Sequence, residues 1–213
     1  MKTSPLLRAE SEATLSLETN YHRPFLPHSP KQALNRLFLS ELANRYDSEK
    51  RQSRVLSQMA EAATCVHLKK LLRLHAWETE GQVMKLQCVF EALEEEVQET
   101  CSAVSMALLT EAERITDVFR ADSPALNTAL VYAAQKIEHD EMAVYGALRE
   151  WAVLMSHKEA ALILEQLLDE EKRTYQSLIK MARFHCNKEA LNVFHAEDFY
   201  CDKYGHEFAK VRM

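Results

Sequence analysis

Glycine is almost missing from this sequence, with 3 residues in 213, and proline numbers only 5. So few chain breakers exclude a fold of many short strands and tight turns, and they favour long helices. Long apolar runs are missing too. Charged residues interrupt every one, so no window reads as a transmembrane span or a signal peptide. Nor is there an excess of positive charge: the formal net charge of −6 excludes general attraction to nucleic acid or to an anionic membrane. The 5 cysteines are scattered and odd in number, which argues against a disulfide framework. Free thiols suit a reducing compartment, so a cytoplasmic protein is expected. What is present is ordinary for a globular chain: 47% hydrophobic and 27% charged residues, enough for one domain with a sizeable core.

Residues 1–29 carry no clean period and contain Pro5, Pro24 and Pro27; they read as an N-terminal arm. Ser29-Pro30 is a helix start, serine as N-cap and proline at the first helical position. A first long helix is expected over residues 30–63, with Leu34, Phe38, Leu42, Leu56 and Ala60 on its buried face. A second covers 66–96, burying Leu68, Leu71, Leu72, Val83, Leu86, Phe90 and Leu93. A shorter, less regular helix over 99–120 crosses between two pairs. Asp122-Ser123-Pro124 starts a third long helix over 124–155. Ser156 to Glu159 fits a capping box for a fourth, 157–184. That helix buries Ala160, Leu164, Leu167, Leu168, Leu178 and Ala182. The bundle is therefore expected over 30–184. Residues 185–213 form an extension with room for one short helix, about 188–194.

The residues that break the apolar stripes carry the functional signal. Stepping 100° per residue from Glu138 places Leu130, Val131, Ala134, Tyr145, Leu148 and Ala152 on one face, together with Glu138 and Glu141. Buried charge is costly unless it is paired or binds a metal. Glu49 lies mid-face on the first helix. His75, Thr79 and Gln82 interrupt the second, with Glu78 at the stripe's edge, and Glu171 centres the fourth, one turn before Tyr175. Taken singly, a glutamate on an apolar face is a boundary residue whose head reaches water. A lone inward histidine is usually a hydrogen-bonded core residue. Together, Glu49, His75, Glu78, Glu138, Glu141 and Glu171 match what a carboxylate-bridged di-metal centre needs in a four-helix bundle. Hard oxygen with imidazole suits two iron ions or manganese. The E-x-x-H pair usual in such bundles is absent; Glu138 and Glu141 make an E-x-x-E, and His75 and Glu78 the reverse, H-x-x-E. His185, Cys186, His195, Cys201 and His206 match no paired zinc motif.

Four strings, YDSEK around Glu49, HAWETEGQV from His75, AAQKIEHDEMAVYG around Glu138 and LLDEEK around Glu171, carry a resemblance. In order and spacing they resemble the YciE/YciF-type ferritin-like family of bacterial stress proteins, from about Leu37 to Ala182. The resemblance implies an all-α, ferritin-like four-helix bundle related to rubrerythrin, a homodimer and a di-iron site at the six residues named above. Two positions depart from it: Tyr175 stands where the family usually has aspartate, and Asp140 where it usually has tyrosine. The expectation is then a di-iron or iron/manganese protein that oxidises ferrous iron or reacts with dioxygen or peroxide in stress defence. Glu138 and Glu171 would be the bridging or chelating carboxylates of that chemistry, Glu49 and Glu141 terminal ligands, and Gln82 and Thr79 hydrogen-bonders behind them. The rival expectation is a structural or interaction protein on the same bundle with a degraded site.

Overall fold

The computed structural model describes residues 29–191 and two short strands, 199–201 and 207–209. The N-terminal arm and most of the C-terminal extension lie outside the described residues. The elements are α1 (Pro30–Ala62), α2 (Val66–Ala92), α3 (Ala103–Phe119), α4 (Ser123–Leu154) and α5 (Lys158–Met181). A π-helical turn (Ala182–Cys186), the short α6 (Asn187–Ala190), β1 (Phe199–Cys201) and β2 (Glu207–Ala209) follow. The strands pair antiparallel, Tyr200 opposite Phe208. They are an addition to an otherwise all-α fold that the periodicity of the tail did not announce.

Helix starts follow local chemistry. Ser29 accepts from the Gln32 amide at 3.3 Å while Gln32 Oε1 accepts from the Ser29 amide at 3.0 Å, a reciprocal cap ahead of Pro30. Asp122 caps α4 by accepting from the Ala125 amide at 3.2 Å. Two ends differ from expectation. α2 stops at Ala92, not Glu96, because Glu94, Glu95 and Glu96 would add negative charge at the negative pole of the helix. Ser156 does not cap α5. It terminates α4 in the left-handed region, φ 68°, with its amide bonded to Val153 O at 3.0 Å and the His157 amide to Ala152 O at 2.9 Å. Glu94 does the same after α2, at φ 56°. A chain so poor in glycine closes both helices on residues with a Cβ.

Each long helix runs through three layers. One apolar cluster includes Leu56, Met59, Leu68, Leu72, Leu126, Leu130 and Leu178. Another includes Phe38, Leu42, Leu86, Phe90, Leu148, Leu164 and Leu167. Between them in the order of every helix lies a polar stretch: Arg45, Glu49 and Gln52 on α1; His75, Thr79 and Gln82 on α2; Glu138 and Glu141 on α4; Glu171 on α5. All nine are buried. The order of clusters along each helix makes α1 and α5 run one way and α2 and α4 the other. The α2–α4 connection must therefore return along the bundle, and α3, 17 residues long, spans roughly 25 Å of that path. Two hairpins joined by one long crossover are the topology of ferritin-like bundles. Leu109, Ala112 and Ile115 seat α3 on the first cluster. Among the described residues no helix is long and apolar enough to cross a membrane.

Candidate metal centre

Four of the six expected ligands converge. Ligand atoms of His75, Glu138, Glu141 and Glu171 all lie within 4.8 Å of one another. Each side chain is there because its helix presents it at mid-height. His75 comes from α2, Glu138 and Glu141 from successive turns of α4, and Glu171 from α5. Atoms bound to one transition-metal ion sit about 2.0–2.2 Å from it, so opposite ligands lie about 4.4 Å apart. The group is thus close to the dimensions of a single coordination sphere.

Its donors are held open. Gln82 Nε2 donates to Glu171 Oε1 at 2.6 Å, and Gln52 Nε2 donates to Glu141 Oε1 at 2.9 Å. The other oxygen of each carboxylate, both oxygens of Glu138 and both nitrogens of His75 are buried without a hydrogen-bond partner. His75 Nε2 and Glu138 Oε1 approach to 3.1 Å, but not in hydrogen-bonding alignment. Buried polar groups are almost always satisfied, yet these four residues carry unsatisfied buried atoms and bring one ligand atom each together; the two imidazole nitrogens point apart, so His75 offers one of them. Oxygen-rich donors with one imidazole fit divalent iron or manganese.

Electrostatics fit as well. Burial depresses the His75 imidazole to about 4, so the ring is neutral and offers a lone pair. Burial, then neighbouring carboxylates, raise Glu138, Glu141 and Glu171 well above the ordinary range. A divalent cation would relieve both causes at once.

The remaining expected ligands behave differently. Glu49 is fully buried beside the group, but its Oε1 accepts from the Tyr145 hydroxyl at 2.5 Å and pairs with Arg45 Nε at 3.2 Å. Burial first, then Glu49, pushes the Tyr145 phenol upward, so it remains a donor. Glu78 is outside the group. It lies half-buried on the wall of a surface hollow of about 520 Å³ with Trp77, Lys85, Glu170 and Arg173. Burial and Glu170 raise its carboxyl. Gln82 also reaches Glu170 at 3.5 Å, which links this hollow to the buried group. A larger hollow, about 660 Å³, lies at Arg54, Gln58, Glu113 and Arg120 and does not touch it. Thr79 is buried with its hydroxyl unpartnered. Tyr175 packs edge-on against His139, ring centroids 4.5 Å apart, and is not among the converging atoms. In the tail, His185 tilts against His67 and Cys186 is buried, its thiol pushed up to about 12 by burial and Cys65. His195 and His206 and the side chain of Cys201 lie outside the described residues.

Arg45 is the participant that the apolar stripes concealed. It is 2% exposed and reaches Glu49, Asp140 and Glu141. Its signal was available: it precedes Glu49 by four residues, one helical turn on the same face.

The sequence profile of the family described as "Domain of unknown function (DUF892)" matches residues 33–191. The chain belongs to this family. Protein YciF of Escherichia coli strain K12 is 32% identical over 157 residues, 73% of this chain and 94% of that relative. Among solved structures, the E. coli stress protein YciF superposes with a TM-score of 0.69 at 27% identity, covering 75% of this chain and 98% of its own. YcfI from Rhodopseudomonas palustris gives 0.67 at 31% identity, covering 72% and 98%. The match takes in every helix that contributes to the buried group and leaves residues 1–32 and 192–213 outside the family region.

Proposed function

We propose that this DUF892 protein holds divalent iron or manganese at His75, Glu138, Glu141 and Glu171 and uses it in redox chemistry. The observation that carries the reading is the convergence of one ligand atom each from four residues on three helices, every one of which has a buried polar atom without a protein partner. The metal would supply a one-electron couple and a Lewis-acidic site; ferrous iron itself is then a substrate, with dioxygen or peroxide as oxidant. The chain's own residues do the rest. Gln52 and Gln82 fix the outward oxygens of Glu141 and Glu171, so the free oxygens need no reorganisation to bind. The apolar clusters on either side exclude bulk water. Glu78 and Glu170, the latter paired with Lys85, line the hollow that Gln82 links to the buried group. The kinship with a bacterial stress protein supports a protective role.

A second reading is a bundle scaffold, favoured by the buried Arg45–Glu49 pair, which consumes one expected ligand. The test is metal content after anaerobic loading with ferrous iron and desalting, followed by exposure to oxygen. The redox reading expects retained iron whose oxidation can be followed optically. Absence of any retained transition metal contradicts it and leaves the scaffold. A homodimer and cytoplasmic residence, both expected above, belong to the same proposal and would be read from solution mass and cell fractionation.

A further inference from the structure

The resemblance implies two metal ions, but the geometry points to one: Arg45 occupies the side of the polar layer where a second ion would stand. This inference rests on the metal-binding reading above and fixes its stoichiometry. The guanidinium is buried; Nη1 and Nη2 are hydrogen-bonded, and Nε is in ion-pair reach of Glu49 without hydrogen-bond alignment. Nε lies 3.2 Å from Glu49 Oε1. Nη1 lies 3.4 Å from Asp140 Oδ2, which also accepts from Ser105 Oγ at 3.2 Å. Nη2 donates to Gln52 Oε1 at 3.2 Å and lies 3.8 Å from Glu141 Oε1.

A dinuclear centre needs carboxylates with free oxygens on both sides of the bridge. Here the Oε1 atoms of Glu49 and Glu141 both turn toward Arg45, and each takes a further donor, Tyr145 or Gln52. Only their Oε2 atoms are unpartnered. A second ion would share Glu49 and Glu141 with a guanidinium, placing like charges side by side in an apolar interior where Coulomb repulsion is weakly screened. Arginine cannot deprotonate to make room. Asp140, tied to α3 through Ser105, holds its far end, so the side chain does not swing away freely. Arg45 is therefore a permanent cation in the layer. It balances Glu49 and leaves one divalent site, at His75, Glu138, Glu141 and Glu171.

The test uses the full chain, stripped with chelator, loaded with excess Mn²⁺ and desalted. Bound manganese is counted against protein and its paramagnetic resonance spectrum recorded. Wild type should retain one ion per chain with the spectrum of an isolated ion. Arg45→Met should admit a second ion and give the spectrum of an exchange-coupled pair, whereas Arg45→Lys, which keeps the charge, should stay at one. Two ions per wild-type chain, or a coupled spectrum, would overturn the role of Arg45 while leaving the metal site standing. A folded Arg45→Met protein that still binds one ion would overturn it too. If Arg45→Met does not fold, the wild-type count and spectrum decide. No bound manganese in the wild type, with ferrous loading equally empty, would remove the metal reading itself.

Discussion

The polar layer has two sides built from the same residue type. On one, both oxygens of Glu138 and one of Glu171 are left without a protein partner beside His75. On the other, Glu49 is matched by Arg45 and Tyr145. Glu141 belongs to both, one oxygen turned to each side. Glu49, Glu138 and Glu171 are all fully buried on helices of similar pattern, so burial does not decide what a glutamate does. The partner supplied by its neighbours does. A carboxylate given a cation becomes part of the scaffold; a carboxylate denied one becomes a ligand in waiting.

The largest expected effect is a difference in sign between the two sides. Removing the cation by Arg45→Met should strand Glu49 and cost the apo protein about 3–5 kcal/mol in a denaturant melt. Glu138→Gln on the open side should leave apo stability equal or higher, because the neutral amide removes the cost of burying an ionisable carboxyl among others. Equal losses from both would show that the open side is also an ion-pair scaffold.

Next in size is the response to metal. Manganese at about 100 times its dissociation constant should stabilise the folded chain by about 2.7 kcal/mol, a rise in Tm of roughly 5–10 °C for a chain of this length. Glu171→Gln and His75→Ala should abolish that rise. A thermal melt series with and without manganese makes the comparison.

The pH response should separate the sides further. Glu138, Glu141 and Glu171 have folded pKa values raised well above ordinary carboxyls. Their contribution is full below the unfolded value of about 4.3 and is lost as pH rises through the folded values, because the folded state must release protons it prefers to keep. His75 acts in the opposite direction. Its pKa is lowered from 6.5 to about 4, so stability is lost as pH falls through that window. Above about pH 6.5 only the carboxylates act. The apo protein's Tm should therefore decline from pH 6.5 toward pH 9, and bound metal should flatten the decline because it takes the place of the protons. An apo Tm that is level across this range would mean the carboxylates are already satisfied.

The smallest effect lies outside the layer. Ser156 holds a left-handed conformation that glycine adopts without strain. Ser156→Gly should raise stability by up to about 1 kcal/mol, equally in apo and metal-loaded protein, as read by parallel denaturant melts. A metal-dependent gain would show that the effects assigned to the layer are not local.

Much of this was legible in the sequence. The scarcity of glycine and the apolar period led to the helices, and polar residues on apolar stripes led to His75, Glu138, Glu141 and Glu171. Arg45 escaped because arginine reads as a surface residue unless the buried glutamate one turn away is used to interpret it. Glu78 and Tyr175 were drawn inward because periodicity gives a direction with an error of tens of degrees, enough to confuse a layer with its rim. Asp140, marked in the sequence as a departure from the family, is close enough to hold Arg45. The end of α2 and the role of Ser156 were misjudged because left-handed closure on glutamate and serine leaves no compositional mark. The strand pair in the tail is three residues long on each side, too short for any period to register.

The most direct measurement is the X-ray absorption spectrum of the metal-loaded protein at the iron or manganese edge. The account predicts an oxygen-rich shell with scattering from one imidazole, lost in His75→Ala, and no second metal scatterer. A bound metal whose shell contains no imidazole, or whose spectrum is unchanged in His75→Ala, would place the metal elsewhere and contradict the account.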